Sequence, residues 1–439
     1  MARRLILAVA DSAVTERHRY AARVAFETIC GFECIGVVPA AELASSNPSP
    51  DVSIVHYGPQ PPDAGPWIPA SGLLSTRDLT AAAPCAATSA ASGAMSGAAP
   101  GAEDVLAFVF FCATRMEEAV EGAPRDAMGR FRGEDSAAAR GGWLERPEAE
   151  LRMRAWSASV GWEVPRRTYR GVATVDVDSA YAFRGKGVLR TALACARDAV
   201  LRSPAAAWRR ASVAAGWGHD PYDTYAALEQ AHAAAGIRPR YFILLADRGP
   251  HDRGMPWQRP ALRDLVRTLA ATADLGIHPG VRAHDAGQAA GAAIARERGR
   301  LESLLGLPVD HARQHYLLQR PPASWRALVE AGIRHDHSCG YADRVGFRAG
   351  IARPFPAYDL AEERPLDLML HPVTAMDATL QRYMGCTPQE ALGRVAALAD
   401  AARAVDGETV LLWHNETSSN EGPWAGWHGI YPHMLASIR

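Results

Sequence analysis

From Gly171 onward, short apolar runs alternate with stretches whose apolar positions recur at helical spacing. The runs fall at Val172–Val177, Tyr241–Ala246, Leu275–His278, Val309–Leu317, Gly332–His335, Leu366–Pro372 and Thr409–Trp413. Helix-period segments lie between most of them, at Gly187–Arg202, Pro221–Ala235, Pro260–Asp274, Asp285–Leu305, Pro321–Ala331 and Pro388–Val405. Several of these open on Pro, whose fixed φ and missing N–H suit the first turn of a helix. Strands alternating with helices predict a parallel sheet with right-handed crossovers. At this length such a sheet curls into a barrel, closed or incomplete. The fold class expected is therefore α/β, with a distorted (β/α)7-type barrel over residues 166–439.

The first part of the chain has a different texture. RLILAVA and VSIVHYG read as strands and Arg17–Thr28 as a helix. The run LAFVFF (106–111) reads as a buried strand leading into a helical stretch. Residues 1–165 are expected to form a smaller N-terminal α/β accessory domain that covers, positions or dimerises the barrel. It has no convergent cluster of catalytic residue types. Within it, residues 80–103 are small-residue low complexity without large apolar side chains, which predicts a loop.

Composition narrows the function classes. The 439 residues are 48% hydrophobic and 22% charged, so a sizeable core is expected. Basic and acidic residues balance at 47 and 48, and no charge block suggests nucleic acid or a membrane surface as a partner. No run approaches the roughly 20 apolar residues that span a bilayer. Seven Cys with no CxxC pair fit reduced thiols better than a disulfide framework. The expectation is a cytoplasmic protein with no nucleic-acid or membrane partner and with a homodimer as the possible oligomer.

The candidate chemistry begins at Asp176 and Asp178, which close the apolar run GVATV. Side chains at i and i+2 of a strand share a face. Two such acids suit a site in which one holds a metal and the other takes a proton from a water, and they equally suit a surface turn. In parallel barrels the working residues sit at the C-terminal strand ends. Those ends here carry Asp176 and Asp178, then His278, Arg313 and His315, then Asp336 and His337. His371 and Asp377 follow, and last come His414, Asn415 and Glu416.

At these residues the chain resembles the polysaccharide deacetylase superfamily, also called the NodB-homology fold or carbohydrate esterase family four. The matching segments are TVDVDS (174–179), GIHPG (276–280), RQHY (313–316) and LLWHNE (411–416). DVDSAYAFRGKG (176–187), DPYDTY (220–225) and GYADRVGFRAG (340–350), with RMEEAVEGAPRDAMGRF (115–131), are similar to the bacterial subgroup that has an additional N-terminal domain. The pattern departs from the family in its DVD spacing, in the lack of His-x3-His, and in RQHY where RPPY is usual.

The resemblance implies a metal-dependent hydrolase that removes an N-acetyl group from a sugar or glycan precursor. A divalent metal, zinc by preference, takes Asp178 and His278 as ligands. His315 is the third, with His284 the alternative. Asp176 is the general base, Arg313 orients it, and His414 is the general acid or else supports Asn415 and Glu416. Arg348 meets substrate or forms an ion pair with Asp336 or Asp343. Tyr316 and Trp413 stack on a sugar ring or belong to the core, and Asp377 and His371 line the mouth. The rival functions are a metal-dependent imide, ureide or small-amide hydrolase, and a non-catalytic carbohydrate-binding relative.

Overall fold

The computed structural model describes residues 2–11, 13–43, 48–79 and 103–439. The low-complexity loop expected at 80–103 lies outside them, save for Glu103. Two separate sheets organise the chain. The small one has four parallel strands, β1 (Arg4–Val9), β2 (Glu33–Pro39), β3 (Val52–Gly58) and β4 (Trp67–Pro69), in the order β2-β1-β3-β4.

The large sheet contains β5 (Arg170–Val177), β6 (Arg240–Ile243), β7 (Asp274–Ile277), β8 (His311–Ala312) and β9 (His335–Cys339). It is completed by β10 (Phe355–Asp359), β11 (Arg364–Pro372), β12 (Ala375–Met376) and β13 (Glu408–His414). Their order is β10-β11-β9-β8-β7-β6-β5-β13-β12, and only the β10–β11 pair is antiparallel. The expected runs correspond to β5 to β9, β11 and β13. Two strands were not anticipated: β10, which turns back on β11, and the very short β12. The sheet is curled but open, with β10 and β12 at its edges. Chain continuity narrows the gap: Val373 N donates to Cys339 O beside β9, and the next residue, Thr374, donates to Val410 O on β13.

The run LAFVFF is not a strand. Val105–Thr114 is an α-helix, wholly buried, whose first turn is capped by Asp104 accepting from Ala107 N at 2.9 Å. A continuous apolar run has no period to distinguish a buried strand from a helix packed on all sides. This helix lies in one hydrophobic core shared by the small sheet and the barrel's helices. Buried ion pairs tie the two parts together: Arg17 with Glu363, Arg353 with Glu150, and Glu118 with both Arg115 and Arg348. Among the described residues no helix is long and apolar enough to cross a membrane.

Candidate active site

Strand register does the first work of assembly. Asp176 on β5 lies directly opposite His414 on β13, so their side chains emerge side by side. On the other flank, the ladder continues past β7 and β8: His278 N donates to Ile243 O, and Arg313 N donates to Ile277 O. The chain then leaves the sheet after Ala312, a short β8 rather than the long strand expected to Leu317. Tyr316 and Leu317 adopt φ of 63° and 53°. Two successive non-glycine residues in the left-handed region hold a sharp bend that carries His315 to the strand ends.

Three side chains converge there. Asp178 Oδ1 lies 3.2 Å from His278 Nε2, and Asp178 Oδ2 lies 3.4 Å from His315 Nε2. The ligand-type atoms of Asp178, His278 and His315 are all within 4.8 Å of one another. Each imidazole is fixed from behind. His278 Nδ1 donates to Arg313 O at 2.6 Å, and His315 Nδ1 donates to Asp252 Oδ1 at 3.0 Å. Both rings therefore turn Nε2 toward Asp178, the tautomer a metal ligand requires.

The arrangement asks for positive charge. Asp178 Oδ1 is buried and has no hydrogen-bond partner. Burial opposes charge on His315, yet the Asp178 and Asp252 carboxylates push its pKa up to about 9. Burial likewise opposes ionisation of Asp178, but His315, His278 and His414 hold its carboxyl well below the usual range. A divalent cation meets that demand with a donor set of two imidazoles and one carboxylate.

Asp176, almost fully buried, is held separately. Its Oδ1 accepts from Arg313 Nη1 at 2.9 Å, while Oδ2 faces His278 Nε2 at 3.7 Å. Arg313 is itself locked by Thr174 Oγ1 and His337 O, with its guanidinium over the Phe242 ring. On the opposite side, His414 Nδ1 donates to Asp377 Oδ1 at 2.7 Å, and His414 Nε2 faces Asp178 at 4.0 Å. Asp377 raises the His414 pKa to about 10 against the opposing effect of burial.

Several expected roles need correction. Arg348 does not face substrate: it is buried, pairs with Glu118 and donates to Gly340 O at 2.7 Å. Neither Asp336 nor Asp343 is its partner; Asp343 instead accepts from Gly133 N and Glu134 N. Trp413 is completely buried, stacks on Tyr431 at 4.6 Å and donates to Ser418 Oγ, so it is core. Asp377 is fully buried and orients His414 rather than meeting substrate. His284 is outside the three-residue cluster and pairs with Asp285 at 3.4 Å. His371 lies away from the mouth, stacked on His337 at 4.1 Å beside His311 and His335, which open their strands. Asp310, His311 and His335 form a second group of metal-capable atoms there, with Asp310 exposed.

Tyr316 does reach the cleft, stacked on His315 at 4.2 Å. The cleft is a cavity of about 430 Å³ that holds Asp178, His315 and His414 at its base, with Tyr222, Tyr383 and Trp424 among its walls. Two contributors were missed from sequence. Asp252 sits in an irregular loop with no periodicity to flag it. It is held by Val281 N and Arg282 N, and a Cβ on Gly280 would lie 2.9 Å from its carboxyl, which gives the second glycine of GIHPG its purpose. Arg130 comes from the N-terminal part, yet it lines the cleft and donates to Tyr316 O and Tyr383 Oη.

Residues 7–155 match DUF7033, a family of unknown function. Comparison with curated proteins gives no match. Among solved structures, a polysaccharide deacetylase candidate from Mycobacterium smegmatis is similar at 15% identity and a TM-score of 0.41, covering 62% of this chain and 85% of that one. A polysaccharide deacetylase from Bacillus cereus is similar at 12% identity and a TM-score of 0.30, covering 62% and 87%.

Proposed function

We propose that this chain is a metal-dependent hydrolase that removes an N-acetyl group from a sugar or glycan precursor. The observation that carries the proposal is the convergence of Asp178, His278 and His315 around an unpartnered carboxylate oxygen, with a second carboxylate and an imidazole on either side. Asp178, His278 and His315 would hold the cation. When bound, a divalent ion supplies Lewis acidity to a water and to an amide carbonyl.

The chain's own residues divide the remaining work. Asp176 keeps one oxygen on Arg313, which orients the carboxylate, and its other oxygen accepts a proton from the attacking water. Water adds to the carbonyl carbon, the C–N bond breaks, and His414 gives its Nε2 proton to the departing nitrogen. Asp377 fixes the imidazole through Nδ1 so that Nε2 faces the cleft. Tyr222, Tyr316, Tyr383 and Trp424 give the cleft aromatic walls of the kind that pack against sugar rings.

The test is acetate release from N-acetylglucosamine derivatives by the metal-loaded protein, run beside ring opening of a cyclic imide. Acetate release that disappears in Asp176→Asn and Asp178→Ala supports the proposal. Imide opening without acetate release would replace it with the rival hydrolase, and wild-type behaviour of Asp176→Asn in both assays would sink it.

A further inference from the structure

A pair of helices, Val188–Leu201 and Pro204–Ala214, flanks the cleft and is built against the usual logic of a soluble surface. The first helix is mostly apolar in sequence, VLRTALACARDAVL, yet the one side chain it buries is Asp198. Of the eleven exposed large apolar side chains among the described residues, seven lie between 188 and 217. Val188 is 89% exposed, Val200 82% and Trp217 78%, joined by Leu189, Leu193, Leu201 and Trp208. A concentration of exposed apolar side chains of this kind marks a surface that meets something apolar.

Charge selects what it meets. Residues 188–217 contain Arg190, Arg197, Arg202, Arg209 and Arg210 against the single acid Asp198. Arg197, Arg202 and Arg210 all crowd that one carboxylate, at 3.8, 3.9 and 2.7 Å. The cleft mouth continues the pattern. Lys186 donates to Ser179 Oγ and Arg253 to Pro250 O. No carboxylate lies within ion-pair distance of Lys186, Arg190 or Arg253 among the described residues. Arg190 and Ala194 line the cleft, and Leu189 and Leu193 lie one residue away, about 100° round the helix. The apolar stripe therefore borders the cationic mouth.

A second copy of the chain would set these arginines against themselves, and a neutral apolar partner would leave them unmatched. An anionic lipid surface satisfies both features, taking the apolar side chains below its headgroups and the guanidinium groups among its phosphates. We infer that the 188–217 hairpin seats the protein on an anionic membrane surface, with the cleft mouth turned toward the lipid. Where the hydrolase proposal holds, an amide-bearing substrate anchored in that lipid is the class delivered to Asp178. This departs from the expectation of no membrane partner, which rested on net charge and the lack of a spanning run. Neither shows which face of a short helix is left uncovered.

The full chain would be floated with vesicles of phosphatidylcholine alone and of phosphatidylcholine with phosphatidylglycerol, with no amide present. The protein should rise with the anionic vesicles and not with the neutral ones. Leu193→Glu with Val200→Glu should cut the bound fraction about tenfold while leaving hydrolysis of a soluble amide unchanged. Arg197→Glu with Arg202→Glu, which keeps the apolar stripe, should also weaken binding. A wild type that stays down in both gradients, or a Leu193/Val200 double variant that floats undiminished, overturns the inference. So does a dimer, seen by light scattering, that the double variant dissolves. Flotation without any amide hydrolysis would leave the lipid inference standing and remove the hydrolase proposal instead.

Discussion

At the scale of single residues, the candidate site separates groups that would touch a cation from groups that aim them. Asp176→Asn should lower kcat by about 10²–10⁴-fold while bound metal, measured by elemental analysis, stays at the wild-type level. Asp252→Asn touches nothing in the cleft, yet it removes the carboxylate that fixes His315. Metal affinity should fall about 10–100-fold, read by competition with a chelator. Much of this was legible in the sequence, because a period of two puts Asp176 and Asp178 on one face and strand ends gather the His residues. Asp252 was not legible, since its loop has no period. Arg348 was misread because an isolated cation looks the same whether its partner is a substrate or Glu118, 230 residues away. Glu118→Ala would leave Arg348 in the interior with no carboxylate and Arg115 with Glu117 alone. It should destabilise the fold by about 3–5 kcal/mol in denaturant titration, far more than loss of a surface pair.

At the scale of elements, β8, β9 and β11 bring four histidines together away from the candidate site. His311 Nδ1 lies 2.8 Å from His337 Nε2, and His335 Nδ1 lies 3.0 Å from His371 Nε2. The charged groups around them are Arg313 and Arg240, both of which reach His337, with Asp310 beside His311 and Asp274 paired to Arg240. Burial, with neighbouring imidazoles and Arg240, pulls His311 down to about 3 and His371 to about 2, and holds His337 well below its ordinary value. Their folded pKa values are depressed, so the unfolded chain binds more protons as pH falls through 6.5. Stability from these rings is complete above that pH and is lost progressively below it. Melting temperature should drop on acidification from pH 7 to 5, and His371→Phe should flatten that slope; an unchanged slope would refute the assignment. Sequence placed His337 at a strand end and His371 at the mouth because it counted strand ends without knowing register. The pairing of Met369 with His335 shows where the level of β11 lies. The helix at Val105–Thr114 was lost to a related ambiguity, a run too uniformly apolar to show any period.

At the scale of the whole molecule, the two sheets share one core and several buried charge pairs. Removing residues 1–165 would take away the ion-pair partners of Arg353, Arg348 and Glu363 and uncover the apolar faces beneath them. We expect the remaining barrel to be insoluble, and the intact chain to melt in one transition by calorimetry; two separated transitions would contradict this. Arg130 carries the coupling into the cleft itself. Arg130→Ala should raise KM for a soluble amide by several-fold with kcat little changed, since the side chain reaches Tyr316 and Tyr383 but none of the proposed proton donors or acceptors. The cleft is thus walled by both halves of the polypeptide. A barrel transplanted without its leading segment would carry a breach in the wall of its cleft, and exchanging that segment between kindred proteins would retune which molecules are admitted while leaving the Asp178 cluster untouched.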